Sequence, residues 1–419
     1  MNSHTHTHWR ILLLLSLIFS SQFLPTVIPV KAQAVVSTAS VEYRFGEQIT
    51  FQAIVQSTQA VEKAFVLFSV KGEGLTRSGE TQVSLQDGTT YQLTYTYPLT
   101  NQPLRAFTQV GYRFQVRLQN GEEITSPSFS FAYNDNRVEW QHLEKQPFNI
   151  SWYAQDDIAF GDNALQTAEA GLKQIQSLLS INAPEKIDIY IYPNASTLQE
   201  VLVLSGQDWV AGHADPDLGV MLAAIPSRPE QSLLMEQILP HEMMHILLFE
   251  SLGDGYHSQP TWLVEGLASL AELYPNPDYQ LLLNNALERD TLLRMKTLCS
   301  AFPRDASSAL LAYAQSASFT RYLHQQFGKS GLNRLMQGYS DGLDCSRGVE
   351  IALGGDLDQL ERQWREDELG ENRTGVAVQN LLPWLALALV VLIAPVGLAL
   401  SRLLRKNEQP ATMKAPTKK

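Results

Sequence analysis

Pro240-His241-Glu242-Met243-Met244-His245-Ile246-Leu247-Leu248 places an H-E-x-x-H pattern inside an apolar run of helix length. Four residues slightly exceed one helical turn, so His241 and His245 project from one face, where two imidazoles can grip a single zinc ion. Glu242 lies about a hundred degrees round the helix from His241, beside such an ion and not on it. A carboxylate there can take a proton from metal-bound water, so position alone marks Glu242 as a general base.

A catalytic zinc usually takes three protein ligands and keeps a fourth position for water. Nineteen residues separate His245 from Glu265, which sits in Trp262-Leu263-Val264-Glu265-Gly266. Pro260 to Tyr274 reads as a second amphipathic helix, with Trp262, Leu263, Leu267, Leu270 and Leu273 as its apolar positions. Glu265 is the candidate third ligand. A metzincin would need Gly at 248 and His at 251, where this chain has Leu248 and Ser251.

The H-E-x-x-H, the gap and the W-L-x-E-G together resemble the gluzincins, zinc peptidases of thermolysin and aminopeptidase type, most closely the peptidase MA-like group. The resemblance implies a zincin-like domain with His241, His245 and Glu265 as Zn2+ ligands, Glu242 as base and a peptide or protein as substrate. Two departures stand out. The aminopeptidase G-x-M-E-N stretch has no counterpart in Gly219-Val220-Met221-Leu222-Ala223-Ala224, the run expected to be the edge strand on which a substrate lies. Ser269 occupies the place of the thermolysin-type Asp that supports a ligand His, which leaves the partner of His241 open, Glu272 being one candidate. Pro240 should kink the helix or begin it.

Outward from this centre, Asn149 to Tyr153, Lys186 to Tyr192 and Gly219 to Ala224 read as strands, and Asp162 to Ser180 and Thr197 to Leu204 as helices. Gly212-His213-Ala214-Asp215-Pro216 reads as a turn carrying a solvated histidine. Downstream, Tyr313-Ala314-Gln315-Ser316 begins a helix with Phe319, Leu323 and Phe327 that closes at Gly328, and resembles the Y-x-Q-S segment of peptidase MA-like proteins. Tyr313 is either a core tyrosine or, facing the cleft, a second catalytic candidate that stabilises an oxyanion. Cys299 and Cys345 are the only cysteines, and in an oxidising compartment they are expected to pair.

Residues 35–135 read as all-β. Ile49, Phe51 and Ala53 alternate with polar residues, as do Tyr91 to Tyr97, Tyr112 to Leu118 and Phe129 to Tyr133, with hairpin turns at Asp87-Gly88 and Asn120-Gly121. About seven strands of this kind suggest an immunoglobulin- or fibronectin type III-like β-sandwich, with no catalytic candidate in it.

The termini carry addresses. A basic flank at Arg10, an apolar run from Ile11 to Leu24 and Ala32-Gln33-Ala34 read as a signal peptide over 1–34, which would remove His4, His6 and His8. Leu381 to Leu400 contains no charge and is long enough to span a bilayer. Arg402, Arg405 and Lys406 follow, which puts the tail 402–419 on the cytoplasmic side. The expected order is therefore α+β: signal peptide, sandwich 35–135, gluzincin-like domain 136–370, linker 371–380, transmembrane helix 381–401 and basic tail. The whole chain has a net charge of −12, and because leader and tail are basic the ectodomain between them is more negative still, which argues against nucleic acid as a partner. Composition leaves the oligomeric state open. The expected function is a membrane-anchored extracytoplasmic metallopeptidase using zinc-activated water. The alternative is a cell-surface adhesion receptor that keeps a structural zinc, for which an intact Glu242 would have no use.

Overall fold

The computed structural model describes residues 34–153, 158–204, 212–227, 229–371 and 373–406. The signal-peptide reading over 1–33 and the end of the basic tail from 407 lie outside them. The chain divides into two compact units, which among the described residues comprise 34–137 with 201–204, and 138–200 with 212–406.

The first unit is built from nine antiparallel strands: β1 (Ala34–Arg44), β2 (Gln48–Ser57), β3 (Val61–Val70), β4 (Thr76–Glu80), β5 (Gln82–Asp87), β6 (Thr90–Pro98), β7 (Thr108–Leu118), β8 (Glu123–Thr125) and β9 (Phe129–Tyr133). One sheet has the order β1-β2-β6-β5, and the other β4-β3-β7-β8 with β9 also on β7. Strict alternation drives this. Ile49, Phe51, Ala53 and Val55 of β2, and Val110, Tyr112, Phe114, Val116 and Leu118 of β7, are all buried. The two inner faces meet through Phe51 and Phe68, whose ring centroids are 5.0 Å apart.

The sequence suggested about seven strands here. Those without an alternating signal are edge strands such as β5, whose side chains are almost all exposed, so no apolar period marks them. Ala34 already pairs with Ser57, so the first strand begins at the last residue assigned to the leader.

In the second unit a five-stranded sheet has the order β10-β11-β12-β14-β13. It comprises β10 (Trp140–Lys145), β11 (Phe148–Tyr153), β12 (Ile187–Tyr192), β13 (Gly212–Asp215) and β14 (Val220–Ala224). The middle three are parallel, and the outer two run antiparallel to their neighbours. Helices α1 (Ile158–Leu178) and α2 (Ala195–Leu204) are the crossovers between parallel strands.

The expected edge strand is corrected. Gly219 to Ala224 gives β14, which has a partner on each side, and the edge is β13, the Gly-His-Ala-Asp segment read as a turn. The reason is visible in composition: Val220 to Ala223 is buried without alternation, as a strand covered on both faces must be.

The rest is helical: α3 (Gln231–Leu252), α4 (Thr261–Ala271), α5 (Asp278–Glu288), α6 (Ala306–Ser340), α7 (Cys345–Leu353) and α8 (Leu357–Asp367). Helix α6 starts earlier than Tyr313, at an Asp305 cap that accepts from the Ser308 N–H. Gly328 interrupts it with φ 63° and the chain then resumes helix. Cys299 and Cys345 form a disulfide, and the Trp262 indole N–H donates to Cys345 Sγ at 3.4 Å.

Residues 381–401 lie within one helix, α9 (Arg373–Lys406), on which Leu381, Leu382, Trp384, Leu385 and Leu387 are exposed. Among the described residues no helix is long and apolar enough to cross a membrane. The side chains at 390, 392, 394 and 396 fall outside that description.

Candidate metal centre

Helix α3 begins ten residues before His241 and continues through Pro240, so of the two expectations, kink or start, the start is ruled out. The cost of a helical proline is one lost N–H and one orphaned carbonyl a turn earlier. Here that carbonyl, on Glu236, accepts the Leu273 N–H at 2.9 Å. The proline ring itself packs on Gly171 of α1, where an added Cβ would lie 2.9 Å from Pro240 Cγ. The orphan therefore ties the end of α4 to the helix that bears both histidines.

That tie matters because Glu272, which follows α4 directly, places Oε1 3.1 Å from His241 Nδ1. The open question of what supports His241 is answered by Glu272, while Ser269 stays buried on the same helix. His245 Nδ1 lies 3.1 Å from the Tyr256 hydroxyl, in the 3-10 turn Gly253–Ser258 that links α3 to α4. With both Nδ1 atoms engaged, both Nε2 atoms face Glu265. Its Oε2 is 3.5 Å from His241 Nε2 and 3.9 Å from His245 Nε2.

Ligand atoms of His241, His245 and Glu265 all lie within 4.8 Å of one another. Ligands at zinc-type bond lengths around a tetrahedral ion would be about 3.4 Å apart, so two imidazoles and a carboxylate at these separations fit such an ion with small adjustments. Glu242 stands outside the trio and is buried. A Cβ on Gly212, at the start of β13, would collide with its Oε1. The absent side chain at Gly212 thus leaves room for the Glu242 carboxylate beside the edge strand.

Electrostatics divide these groups. Burial pushes Glu242 up to about 7, which poises it between base and acid near neutral pH. Burial likewise lowers His245 to about 4. His241 resists the same burial because hydrogen bonds to Glu265 and Glu272 hold it up at about 10. Glu265 stays below its usual value against the pull of burial, owing to the charges of the two histidines and the His241 hydrogen bond.

Tyr313 is placed beside this cluster. Its ring centroid is 6.5 Å from that of His241 and 5.1 Å from that of Phe302. Burial, then Glu265 and Glu242, raise its pKa far above the ordinary phenol value, so it is a proton donor at any physiological pH. Gln315 explains the Y-x-Q-S pattern. Its amide clamps the Leu293 backbone in both directions at 2.8 Å, which fixes the helical turn that carries Tyr313.

His213 lies on the edge strand with Nε2 3.3 Å from Asp215 Oδ1, partly buried instead of solvated in a turn. Sequence reasoning missed Tyr256 and Tyr279. Neither stands at a motif position, and only the packing brings each near a carboxylate or a histidine.

Together the sheet, the helix pair and the donor trio make an α+β unit with a candidate metal site. Residues 167–368, just under half of the chain, match the family model of the Peptidase MA superfamily. Among solved structures, the chain is similar to native yeast LTA4 hydrolase, with 10% identity, a TM-score of 0.38, and coverage of 80% of this chain and 67% of that one. The same yeast enzyme in complex with bestatin matches with 10% identity, a TM-score of 0.35 and coverage of 83% and 68%. A structure titled as a myokine matches 24% of this chain and 96% of its own, with 12% identity and a TM-score of 0.19. No curated protein sequence matches the chain.

Proposed function

We propose that the chain is a zinc-dependent metallopeptidase, anchored in a membrane with its catalytic unit extracytoplasmic. One observation carries the catalytic part: Glu242 is buried beside the His241, His245 and Glu265 donor trio without belonging to it. A site that only held a metal for structure would have no use for a carboxylate there.

A divalent ion bound at this trio would supply Lewis acidity, which polarises a carbonyl and acidifies water. The chain's own residues do the rest. Glu272 and Tyr256 hold the two imidazoles by Nδ1, so that Nε2 of each is presented to the trio. Glu242 accepts a proton from the attacking water at a carboxylate oxygen and delivers it to the leaving amine nitrogen, a double role suited to a group balanced near 7. The Tyr313 hydroxyl, protonated throughout, donates to the carbonyl oxygen as negative charge develops on it. β13 is the edge strand of the sheet, the position at which an extended peptide adds to a sheet.

The anchoring rests on the sequence. The uncharged run Leu381 to Leu400, followed by Arg402, Arg405 and Lys406, suits a crossing with the tail inside, and the leader at the other end suits secretion of what lies between. Protease added to intact cells should then digest the catalytic unit and spare a tag at Lys419; a tag that is removed rejects this orientation.

The catalytic reading is tested with Glu242→Gln in the full-length protein. Zinc stoichiometry should stay at the wild-type level, and peptide hydrolysis should fall by the ~10² to 10⁴ that a positioned base supplies. Unchanged turnover would remove Glu242 as base. A wild type that holds zinc and cleaves nothing across a broad peptide library would favour a receptor with a structural metal.

A further inference from the structure

Beside the donor trio, in the same unit, lies a cavity of about 490 Å³ between the segment Pro275–Leu283 and one face of α6. This is within the range of pockets that hold small ligands or side chains. It has room because the α6 residues facing it are small: Ala314 and Ala317, three residues apart, are on its wall, as neighbours on one helical face. One turn further along that face comes Arg321.

Arg321 is exposed and makes no hydrogen bond or ion pair among the described residues. Arg77, Arg137 and Arg365 are by contrast each paired with a carboxylate. A guanidinium offers a planar fork of donors that matches a carboxylate. The cavity is otherwise lined by uncharged residues, among them Pro275, Pro277 and Tyr279.

The cavity and the metal centre are neighbours along α6, where Tyr313 lies beside His241 and the next residue, Ala314, lines the cavity. Tyr279 lines the cavity, and its pKa is raised by burial and then by Glu272 and Glu265, so its hydroxyl lies near the centre's carboxylates. Tyr313, whose ring is 6.5 Å from that of His241, immediately precedes Ala314 on α6. From Tyr313 to Arg321 is eight residues, or about 12 Å along the helix axis, which an extended peptide covers in roughly three to four residues.

We propose that this cavity is a substrate subsite that selects a carboxylate on the peptide, held by Arg321 about three to four residues from the reacting bond. The inference rests on the peptidase reading above, since it takes the ligand to be a peptide. The carboxylate comes either from the peptide's C-terminus or from an Asp or Glu side chain, and the two sources share one chemistry.

The test uses full-length protein carrying Glu242→Gln, so that peptides persist, and measures binding of fluorescein-labelled peptides by anisotropy. One pair of peptides differs only in a free or amidated C-terminus, and a second pair, both amidated, only in Glu or Gln at a fixed position. Loss of a charge-assisted pair predicts about ten-fold weaker binding of the neutral member in one pair or both, which identifies the source. Arg321→Gln should abolish the difference while leaving neutral peptides bound as before, and Arg321→Lys should keep part of it.

The proposal is overturned if neither pair shows a preference, if the preference survives in Arg321→Gln, or if no peptide binds. The peptidase reading is judged separately, by hydrolysis with the wild type. A wild type that cleaves nothing, together with a carboxylate preference lost in Arg321→Gln, removes the peptidase and leaves the subsite.

Discussion

The sandwich interior and the metal centre of the α+β unit bury charge in opposite ways. In the sandwich unit the interior is a stack of aromatic and aliphatic side chains, with Phe51 touching Phe68 and Tyr112 at centroid distances of 5.0 and 5.3 Å. The one buried carboxylate among its described residues, Asp135, is paired within two residues by Arg137 at 2.8 Å. The α+β unit instead gathers His241, Glu242, His245, Glu265 and Glu272 from two helices. Its charges meet across 20 to 31 residues of sequence and no arginine or lysine pairs with any of the five among the described residues. A core that only has to hold a shape neutralises its charges locally. One that gathers three carboxylates around two imidazoles, with no lysine or arginine beside them, has left a place for an external cation.

This contrast breaks first, and hardest, in the sandwich core. Phe51→Ala removes a side chain with no exposure from between two sheets, and such truncations cost about 3–5 kcal/mol. The unfolding transition assigned to this unit should move accordingly, with zinc stoichiometry unchanged in the remaining folded protein. A cost below about 1 kcal/mol would mean that the two faces are not closely packed there.

The metal centre should respond to a change of charge at constant shape. Glu272→Gln keeps an oxygen for His241 Nδ1 but removes the negative charge, and loss of such outer support typically lowers metal affinity about 10–100-fold. The same change should leave the melting of the sandwich unaffected. Zinc competition against a chelator measures it, and an unaltered affinity would show that Glu272 merely fills space.

A smaller effect belongs to the phenol of the sandwich. Tyr133 accepts the Gly46 N–H at 2.8 Å, and burial raises its pKa to about 12, against about 10 in an unfolded chain. Below pH 10 both states hold the proton and the contribution to stability is complete. Between 10 and 12 the unfolded chain ionises and the folded one does not, so the contribution is lost as pH rises. Tyr133→Phe should cost about 1–3 kcal/mol at neutral pH, from an N–H left unpaired, and should flatten the alkaline limb of the sandwich transition. Equal slopes in the two proteins would place the alkaline loss elsewhere.

Much of this was legible beforehand, for local reasons. Helical spacing alone puts His241 and His245 on one face, and alternation alone marks β2, β7 and the buried side of each. The expectation of an edge strand at Gly219 to Ala224 fails because no sequence pattern reveals that the four residues Gly212–Asp215 will pair outside it. Gly212 carries meaning only once Glu242 is seen to fill the space its side chain would occupy.

Sequence by itself therefore determined the units that depend on neighbours within a turn or a strand: the H-E-x-x-H face, the amphipathic helix with Glu265, the alternating strands and the apolar run before Arg402. Tertiary structure decided what needed partners distant along the chain. It chose Glu272 and Tyr256 as the supports of the two histidines, turned the orphaned Glu236 carbonyl beneath Pro240 into a tether for Leu273, brought Tyr313 to His241 and left Arg321 alone beside a cavity. The physical reason is range. Backbone periodicity is set by torsions and hydrogen bonds a few residues long, whereas the protonation and reach of a side chain depend on whichever charges and voids the completed fold places around it.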